Sequence, residues 1–201
     1  MTRKDFFFKE LEERFEELGF KYLKSKNHLV RKSDGNEFII GFNIWPMFAQ
    51  VEVHYRMILK DVESFKKSAW GKLYDKYESV GVNKNRLTSD PSKGMYWTDT
   101  ESNILKAAES ELHFYERVTE EWFQSHTNIA YLDNKLNTEP ASELYLAHNE
   151  IHTSFLAIIV AKLNQNPELD KLKTIYRSVV EKRNSNFLIE YDLLVDKIKK
   201  S

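Results

Sequence analysis

Two histidines four positions apart form the pattern in this chain that comes nearest to a metal-binding motif. They lie in the segment His148-Asn149-Glu150-Ile151-His152. On a helix this spacing points both imidazoles in nearly the same direction, so they could share one divalent ion such as zinc. The zincin signature requires a glutamate directly after the first histidine. Glu150 stands one position later, which turns it about 100° further round the helix, away from both histidines. The motif therefore predicts two metal ligands, and a third would have to come from elsewhere in the fold.

The same histidines also fit a structural role in a helix core. His148 falls on an apolar stripe with Leu144, Ile151 and Phe155, where a hydrogen-bonded histidine can pack without a metal. Both interpretations stay open: His148 and His152 are core residues, or they form the centre of a metal-dependent hydrolase or metal-binding protein. Only the second interpretation requires a cofactor, a divalent metal such as zinc, and we otherwise expect none.

A second group of residues with chemical potential alternates along one predicted strand. Glu52, His54 and Arg56 share the outward face of that strand, and Asn43 and Trp45 lie beside it. Alternate residues of a strand stand roughly 6.6 to 7 Å apart, so an acid, a base and a cation lie side by side and could bind an anion or move a proton. The solvent face of an ordinary antiparallel sheet has the same composition, and only a covering element would turn it into a cleft.

Large aromatic side chains form a third group. Met95-Tyr96-Trp97 follows residues 81–94, a polar, glycine-containing segment that we predict to be an irregular loop. Aromatic residues anchor protein interfaces, although Tyr96 and Trp97 could equally pack against helices. The residues that we predict to bind a partner are Trp45, Glu52, His54, Arg56, Tyr96 and Trp97.

The charge of the chain is balanced. Its 201 residues include 30 Lys and Arg and 31 Asp and Glu, which leaves a formal net charge of -1. This balance creates no global field that would attract nucleic acid. Basic residues cluster between positions 21 and 32, but the acidic helix before them neutralises part of that charge. We therefore expect no nucleic-acid partner.

Several functional classes lack their sequence signals. The chain contains no cysteine, which excludes disulfides and a cysteine nucleophile and fits a reducing compartment. Its longest apolar run, Phe155–Ala161, is far below the roughly 20 residues that span a bilayer. The sequence shows no phosphate-binding loop, dinucleotide fingerprint or nucleophile elbow. We expect a cytoplasmic protein without a membrane span, and whether it is an enzyme stays open.

Two hydrophobic periods indicate the elements that position these groups. Apolar residues alternate over positions 37–59, as in half-buried strands, and after about position 100 they recur every three or four residues, as in amphipathic helices. A helix over 5–18, with Phe8, Leu11, Phe15 and Leu18 on one stripe, precedes the sheet. The predicted strands cover residues 20–24, 28–32, 37–45 and 50–59.

Helical patterns fill the rest of the chain. We predict helices over 61–77, 98–126 with Thr98 as its cap, 129–136 and 140–164, and two more after Pro167. The predicted class is α+β, with an N-terminal helix and a four-stranded antiparallel meander packed against a C-terminal all-helical half. We expect one compact domain over 1–201, and any subdivision would separate 1–80, helix plus sheet, from 95–201, helical.

Three short segments carry a resemblance to other sequences. The segment Leu18-Gly19-Phe20-Lys21 and the strands His28–Lys32 and Phe38–Trp45 resemble a group of uncharacterised bacterial domains that open with a helix, a turn of this composition and an antiparallel sheet. The resemblance covers roughly the first 60 residues and implies a bacterial protein without transferring any catalytic residue. Some small domains of this general sort accompany toxin systems as immunity proteins.

The function that we expect is non-catalytic recognition of a protein, either a partner or a second copy of the chain. It would use the outward sheet face and the segment Met95–Trp97. The alternative is the metal-dependent hydrolase or metal-binding protein centred on His148 and His152. A third converging ligand would favour the alternative, and an exposed apolar or aromatic patch would favour recognition.

Overall fold

The chain begins with a helix, continues into an antiparallel sheet and ends in a series of helices, which confirms the predicted α+β class. The structure, a computed structural model, describes residues 2–71, 79–88, 94–142, 146–147 and 149–200, with Phe48 described through its backbone alone. The helices of the described residues are α1 (Arg3–Phe15), α2 (Lys60–Trp70), α3 (Lys84–Leu87), α4 (Glu101–Phe114), α5 (Glu120–Thr127), α6 (Ile129–Asn137), α7 (Glu150–Leu163), α8 (Leu169–Asn184) and α9 (Leu188–Lys200). The strands are β1 (Lys21–Leu23), β2 (His28–Ser33), β3 (Asn36–Trp45), β4 (Gln50–Ile58), β5 (Val80–Asn83) and β6 (Met95–Trp97).

The strands of the described residues form one six-stranded sheet in the order β1-β2-β3-β4-β5, and β6 also pairs with β4. The turn between β2 and β3 places Asp34 and Gly35 at φ angles of 53° and 84°, the left-handed geometry that an Asp-Gly pair tolerates. Consecutive pairing of β1 to β4 is the predicted meander. The strands β5 and β6 were not predicted, because each is only three or four residues long and lies near glycine, asparagine and serine.

Several helix boundaries differ from the predicted ones. Thr100, rather than Thr98, caps α4, since its hydroxyl accepts from the backbone N–H of Asn103 at 3.1 Å. A π-helical turn, Tyr115–Thr119, separates α4 from α5. The helix predicted over 140–164 begins at Glu150. The predicted loop over 81–94 contains the end of β5 and the short helix α3, and the parts of these predictions that fall on residues 72–78, 89–93 and 143–145 lie outside the described residues.

The chain folds into two compact units, each of which draws on two separate segments. Unit 1 contains residues 1–57 and 82–123, and unit 2 contains residues 58–81 and 124–201. Unit 1 therefore carries most of the sheet together with α1, α3 and α4. Unit 2 carries α2 and the helices from α6 onward.

In unit 1, aromatic side chains join α1 and α4 to one face of the sheet. The predicted stripe of α1 is buried, and its Phe8 ring lies 5.5 Å from the ring of Phe42 on β3 and 4.4 Å from that of Tyr22 on β1. At the other end of α1, Phe15 meets Tyr115 edge to face, with 5.4 Å between the ring centroids. Edge-to-face and stacked pairs of this kind stabilise a core beyond their area of burial.

Arg31 crosses the same core from β2. Its guanidinium donates to the carboxylate of Glu120 at 2.9 Å and lies 4.9 Å from the ring centroid of Phe20 and 5.0 Å from that of Phe38. A partly buried arginine held by both a carboxylate and two aromatic faces fixes β2 to the beginning of α5.

In unit 2, α7 is the central helix. Every residue from Ile151 to Ala161 is buried, as expected for a helix that is apolar on all sides. The Trp70 ring of α2 lies 5.3 Å from that of Phe155, and its indole N–H donates to the backbone oxygen of Glu190 on α9 at 2.8 Å. No helix in the described part of the chain combines the length and the apolar character needed to cross a membrane.

One glycine sets the shape of the second face of the sheet. His54 on β4 is 3% exposed, and a Cβ atom placed on Gly41 of β3 would lie within 2.6 Å of two ring carbons of the His54 imidazole. His28 lies opposite Gly41 on β2, and its ring meets that of His54 at 5.8 Å. The expectation that His54 is solvent-exposed is therefore wrong, because the space left by a missing side chain allows the imidazole to lie against the sheet.

Replacing Gly41 tests this packing. We expect Gly41→Ala to lower the free energy of unfolding by about 1 to 3 kcal/mol, because the added methyl group displaces the imidazole of His54. In a His54→Ala background the same change should cost close to nothing, since the overlapping ring is gone. Urea denaturation of the wild type, both single variants and the double variant measures this coupling, and equal costs in the two backgrounds would contradict it.

Candidate interaction surface and buried charged cluster

The register between β4 and β6 decides which side chains of the Met95–Trp97 segment point outward. Trp97 lies opposite Gln50, and Met95 lies opposite Glu52. Directly opposed residues of an antiparallel pair point to the same face of the sheet. Met95 and Trp97 therefore share the face of Glu52 and His54, and Tyr96 points to the opposite face, where α4 lies.

The end of β3 brings a further tryptophan to this face. Asn43 donates through Nδ2 to a carboxylate oxygen of Glu52 at 3.2 Å, so these two residues are neighbours across β3 and β4. Trp45 follows two positions later on β3 and has the same orientation as Asn43. Three adjacent strands thus present Trp45, Glu52, Met95 and Trp97 on one side.

The β3–β4 connection extends this group of apolar side chains. A 3-10 turn, Pro46–Phe48, is followed by Ala49 in a left-handed conformation, φ 49°. The backbone oxygen of Ala49 accepts from the N–H of Thr98 at 2.7 Å, which ties the end of β6 to the turn. Four large side chains in this region are exposed, with exposed fractions of 48%, 91%, 43% and 59% for Trp45, Met47, Met95 and Trp97. We call these four residues the Trp-Met surface.

On the opposite face, Tyr96 belongs to a buried charged cluster in unit 1. The Tyr96 hydroxyl donates to the Glu111 carboxylate of α4 at 3.0 Å, and the ammonium of Lys84 donates to the same oxygen at 2.7 Å. Tyr55 of β4 donates to the other carboxylate oxygen at 2.7 Å. Lys84 also donates directly to the Tyr96 hydroxyl. Glu111 is thus held by three donors from three separate segments of the chain.

Burial governs the electrostatics of this cluster. Glu111 is 0% and Lys84 is 3% exposed. Desolvation lowers the pKa of Lys84, and the charge of Glu111 opposes that effect. Burial is also the main cause of the raised pKa of Tyr96 and of Tyr55, with the neighbouring Glu111 charge adding to it. An ion pair closed off from solvent in this way, with each partner hydrogen-bonded, is a structural link between α3, β6 and α4.

Sequence reasoning missed most of this cluster. Tyr96 was predicted to bind a partner or to pack against helices, and the register of β6 with β4 directs it toward α4. Lys84 fell in a predicted loop, and Glu111 is one of many glutamates on an amphipathic helix. No local signal marks either residue, because the pair forms through a contact 27 positions apart in the chain.

Among the described residues, a cavity adjoins polar side chains in unit 1 and another does so in unit 2. The cavity of unit 1, about 630 Å³, lies beside the end of β3. The cavity of unit 2, about 540 Å³, adjoins Asp133. The Asp133 carboxylate accepts from the side-chain amides of Asn137, Asn164 and Asn166 at 2.6 to 3.0 Å. Because these donors fill its lone pairs, Asp133 joins α6 to the turn after α7 and has no capacity left for a ligand.

The predicted histidine pair is only partly described. His152 lies in the first turn of α7, is 9% exposed, and its Nδ1 contacts Oδ1 of the N-cap Asn149 at 2.9 Å. Asn149 itself accepts from the backbone N–H groups of Ile151 and His152. His148 lies outside the described residues, and α7, the helix expected to carry both histidines, begins only at Glu150. Within the described residues no three histidine, aspartate or glutamate side chains form a metal-binding group.

No protein-family model, characterised protein or solved structure matches the chain. The resemblance to uncharacterised bacterial domains therefore stays a hypothesis. The case for function rests on the chemistry of the surfaces themselves.

The buried ion pair gives a stability prediction. We expect Lys84→Met to lower the free energy of unfolding by about 3 to 5 kcal/mol, because it leaves the Glu111 carboxylate buried without a counter-charge. The double variant Lys84→Met/Glu111→Gln should be more stable than Lys84→Met alone, since the buried charge is also removed. Urea denaturation measures both, and Lys106→Met on the exposed side of α4 is the control. A Lys84→Met variant as stable as that control would contradict the prediction.

The metal hypothesis stays a prediction that elemental analysis can test. Because His152 contacts the N-cap of α7, we expect His152→Ala to cost about 1 kcal/mol in stability and to leave the metal content unchanged. The measurement is elemental mass spectrometry of tag-free protein purified without chelator, beside a His148→Ala/His152→Ala variant. Near-stoichiometric zinc, iron or manganese that is lost in this variant would contradict a structural role and support the metal site.

Proposed function

We propose that unit 1 is a non-catalytic recognition module that binds a protein partner through the Trp-Met surface. The observation that carries this proposal is the exposure of two tryptophans and two methionines at one end of the sheet, Trp45, Met47, Met95 and Trp97. Tryptophan and methionine are enriched in protein interfaces, and tryptophan is prominent among the residues that dominate binding energy. Such side chains lose unfavourable contact with water when a partner covers them.

The backbone beneath this surface is held in place before any partner arrives. Trp45 stands on β3 and Trp97 on β6, and both strands pair with β4. The two hydrogen bonds from Thr98 to Ala49 connect β6 to the turn that carries Met47. On the other side of β6, Tyr96 is fixed to Glu111. A surface on regular strands needs little ordering on binding, which favours affinity.

The geometry supports recognition better than catalysis. The carboxylate of Glu111 and the ammonium of Lys84 are enclosed in the core and engaged with each other and with Tyr55 and Tyr96. The predicted group of Glu52, His54 and Arg56 does not form an open site, since His54 is buried against Gly41. An immunity-like role, in which the partner is a toxin, is the specific form of this proposal that the resemblance to bacterial domains implies. The cytoplasmic location rests on composition and stays part of the proposal.

Substitution of the two tryptophans tests the proposal. We expect Trp45→Ala/Trp97→Ala to weaken partner binding at least about tenfold, because interface tryptophans commonly contribute more than about 1.4 kcal/mol each. The partner is first identified by affinity capture from the source organism, comparing the wild type with this variant. It is then purified, and its Kd for each form is measured by isothermal titration calorimetry.

The matched control removes apolar area elsewhere. Ile189→Ala/Leu193→Ala truncates two exposed side chains of α9 in unit 2 and should bind the partner with the wild-type Kd. A partner that binds all three forms equally would show that the Trp-Met surface is not the binding site. Sedimentation velocity separates self-association: a dimer of the wild type that the tryptophan variant abolishes would replace the partner by a second copy of the chain.

A further inference from the structure

The strand β3 continues beyond its neighbour β2. The paired residues of these strands end at His28 and Gly41, whereas β3 runs on to Trp45. The last backbone contact on this side is the N–H of Phe42, which donates to the oxygen of Asn27 at 3.2 Å. Within the described residues no strand pairs with this side of β3 after that point. Residues 43–45 therefore form a short open strand edge.

Backbone groups on this edge are placed to pair with another strand. In an antiparallel ladder, the N–H and C=O groups of alternate residues point to the same side. Since the N–H of Phe42 points toward the β2 side, the backbone groups of Ile44 point the same way, beyond the end of β2. An open edge of this kind can accept an extended peptide as an added strand.

The cavity of unit 1 lies along this edge. It has a volume of about 630 Å³, within the range of ligand-binding pockets. Its lining combines the open segment of β3, with Ile44 and Trp45, with Lys26 of the β1–β2 turn and Lys4 at the beginning of α1. Because Trp45 belongs both to this lining and to the Trp-Met surface, the cavity and that surface adjoin.

The lining carries positive charge and no carboxylate. Other basic residues nearby are paired, since Lys24 lies 3.7 Å from Asp5 and Lys32 lies 3.3 Å from Glu37. In the part of the chain that the structure describes, no carboxylate lies within ion-pair distance of Lys4 or Lys26. The cavity thus offers two cations beside the open strand edge.

We propose that the partner contributes an extended acidic segment, which pairs with β3 at residues 43–45 and places its carboxylates beside Lys4 and Lys26. This inference rests on the proposed function, because the same segment would lead onto Trp45 and the rest of the Trp-Met surface. Backbone hydrogen bonds to β3 position the segment, and the ammonium groups of Lys4 and Lys26 select its acidic side chains. Trp45 then contacts an apolar side chain of the same partner.

A peptide fits this site better than a nucleic acid. The chain has a formal net charge of -1, and the basic residues Lys24, Arg31 and Lys32 around the first hairpin are neutralised by carboxylates. Nucleic-acid sites need an extended basic surface, whereas two lysines beside an open strand edge match a short acidic strand.

Selection of peptides by the whole protein tests the inference. Displayed random 12-residue peptides are selected on the wild type, and the enriched peptides are synthesised for Kd measurement by fluorescence anisotropy. We expect enrichment in aspartate and glutamate, binding at least about tenfold weaker to Lys4→Glu/Lys26→Glu, and weaker binding at high salt. Hydrogen exchange of the Ile44 amide should slow when the peptide binds, because its N–H becomes paired.

A control of equal charge accompanies the test. Lys106→Glu/Lys182→Glu makes the same change in net charge on exposed helical positions and should bind the peptides as the wild type does. The thermal unfolding midpoints of all variants confirm that they are folded. Full support requires acidic peptides whose binding depends on Lys4 and Lys26 and protects the Ile44 amide.

Other outcomes overturn the inference in distinguishable ways. Peptides that require Trp45 or Trp97 but are not acidic, or that bind Lys4→Glu/Lys26→Glu unchanged, would refute the acidic segment and leave the proposed recognition function standing. Selection of peptides that depend on none of these residues would refute this docking site, and the tryptophan variants with the purified partner would then decide the proposed function. Displacement of the peptides by a single-stranded oligonucleotide at lower concentration than by free peptide would also refute it.

Discussion

The carboxylate of Glu111 is the constraint on which the Trp-Met surface of unit 1 depends. A buried charge is tolerated only when donors surround it, and here Lys84, Tyr55 and Tyr96 supply them from three different segments. Because Tyr96 must reach inward to Glu111, the alternation of the strand forces Met95 and Trp97 outward. Met95 and Trp97 are thus exposed because the hydrogen bond to Glu111 on the opposite face holds Tyr96 inward.

This arrangement explains why apolar area can remain exposed without collapse of the strand. A three-residue edge strand such as β6 has few ladder contacts of its own, and a tryptophan left in water would favour repacking. The hydrogen bonds from Tyr96 to Glu111 and from Thr98 to Ala49 hold β6 at its middle residue and just after its last residue. The exposed apolar side chains and the buried hydrogen bonds therefore come from the same short segment, on alternate residues.

The sequence allowed prediction of those features that depend on neighbours along the chain. Alternation identified β3 and β4, and the three-to-four spacing identified the stripe of Phe8, Leu11 and Phe15. Features set by distant contacts escaped prediction. His54 alternates with buried residues and yet is buried itself, because Gly41 on the next strand leaves room for its ring. Lys84 likewise carries no local mark of the carboxylate that holds it.

The contact between Gly41 and His54 also constrains how these two positions can change in evolution. Since the ring occupies the volume that any larger residue at position 41 would need, the two positions cannot vary independently: a side chain gained at one requires a loss at the other. Related chains that keep this sheet should therefore pair a glycine with a ring thirteen positions later, or a bulkier residue with a small one. That joint pattern links two strands through volume alone, and it would identify distant members of this fold even where the surface residues have changed.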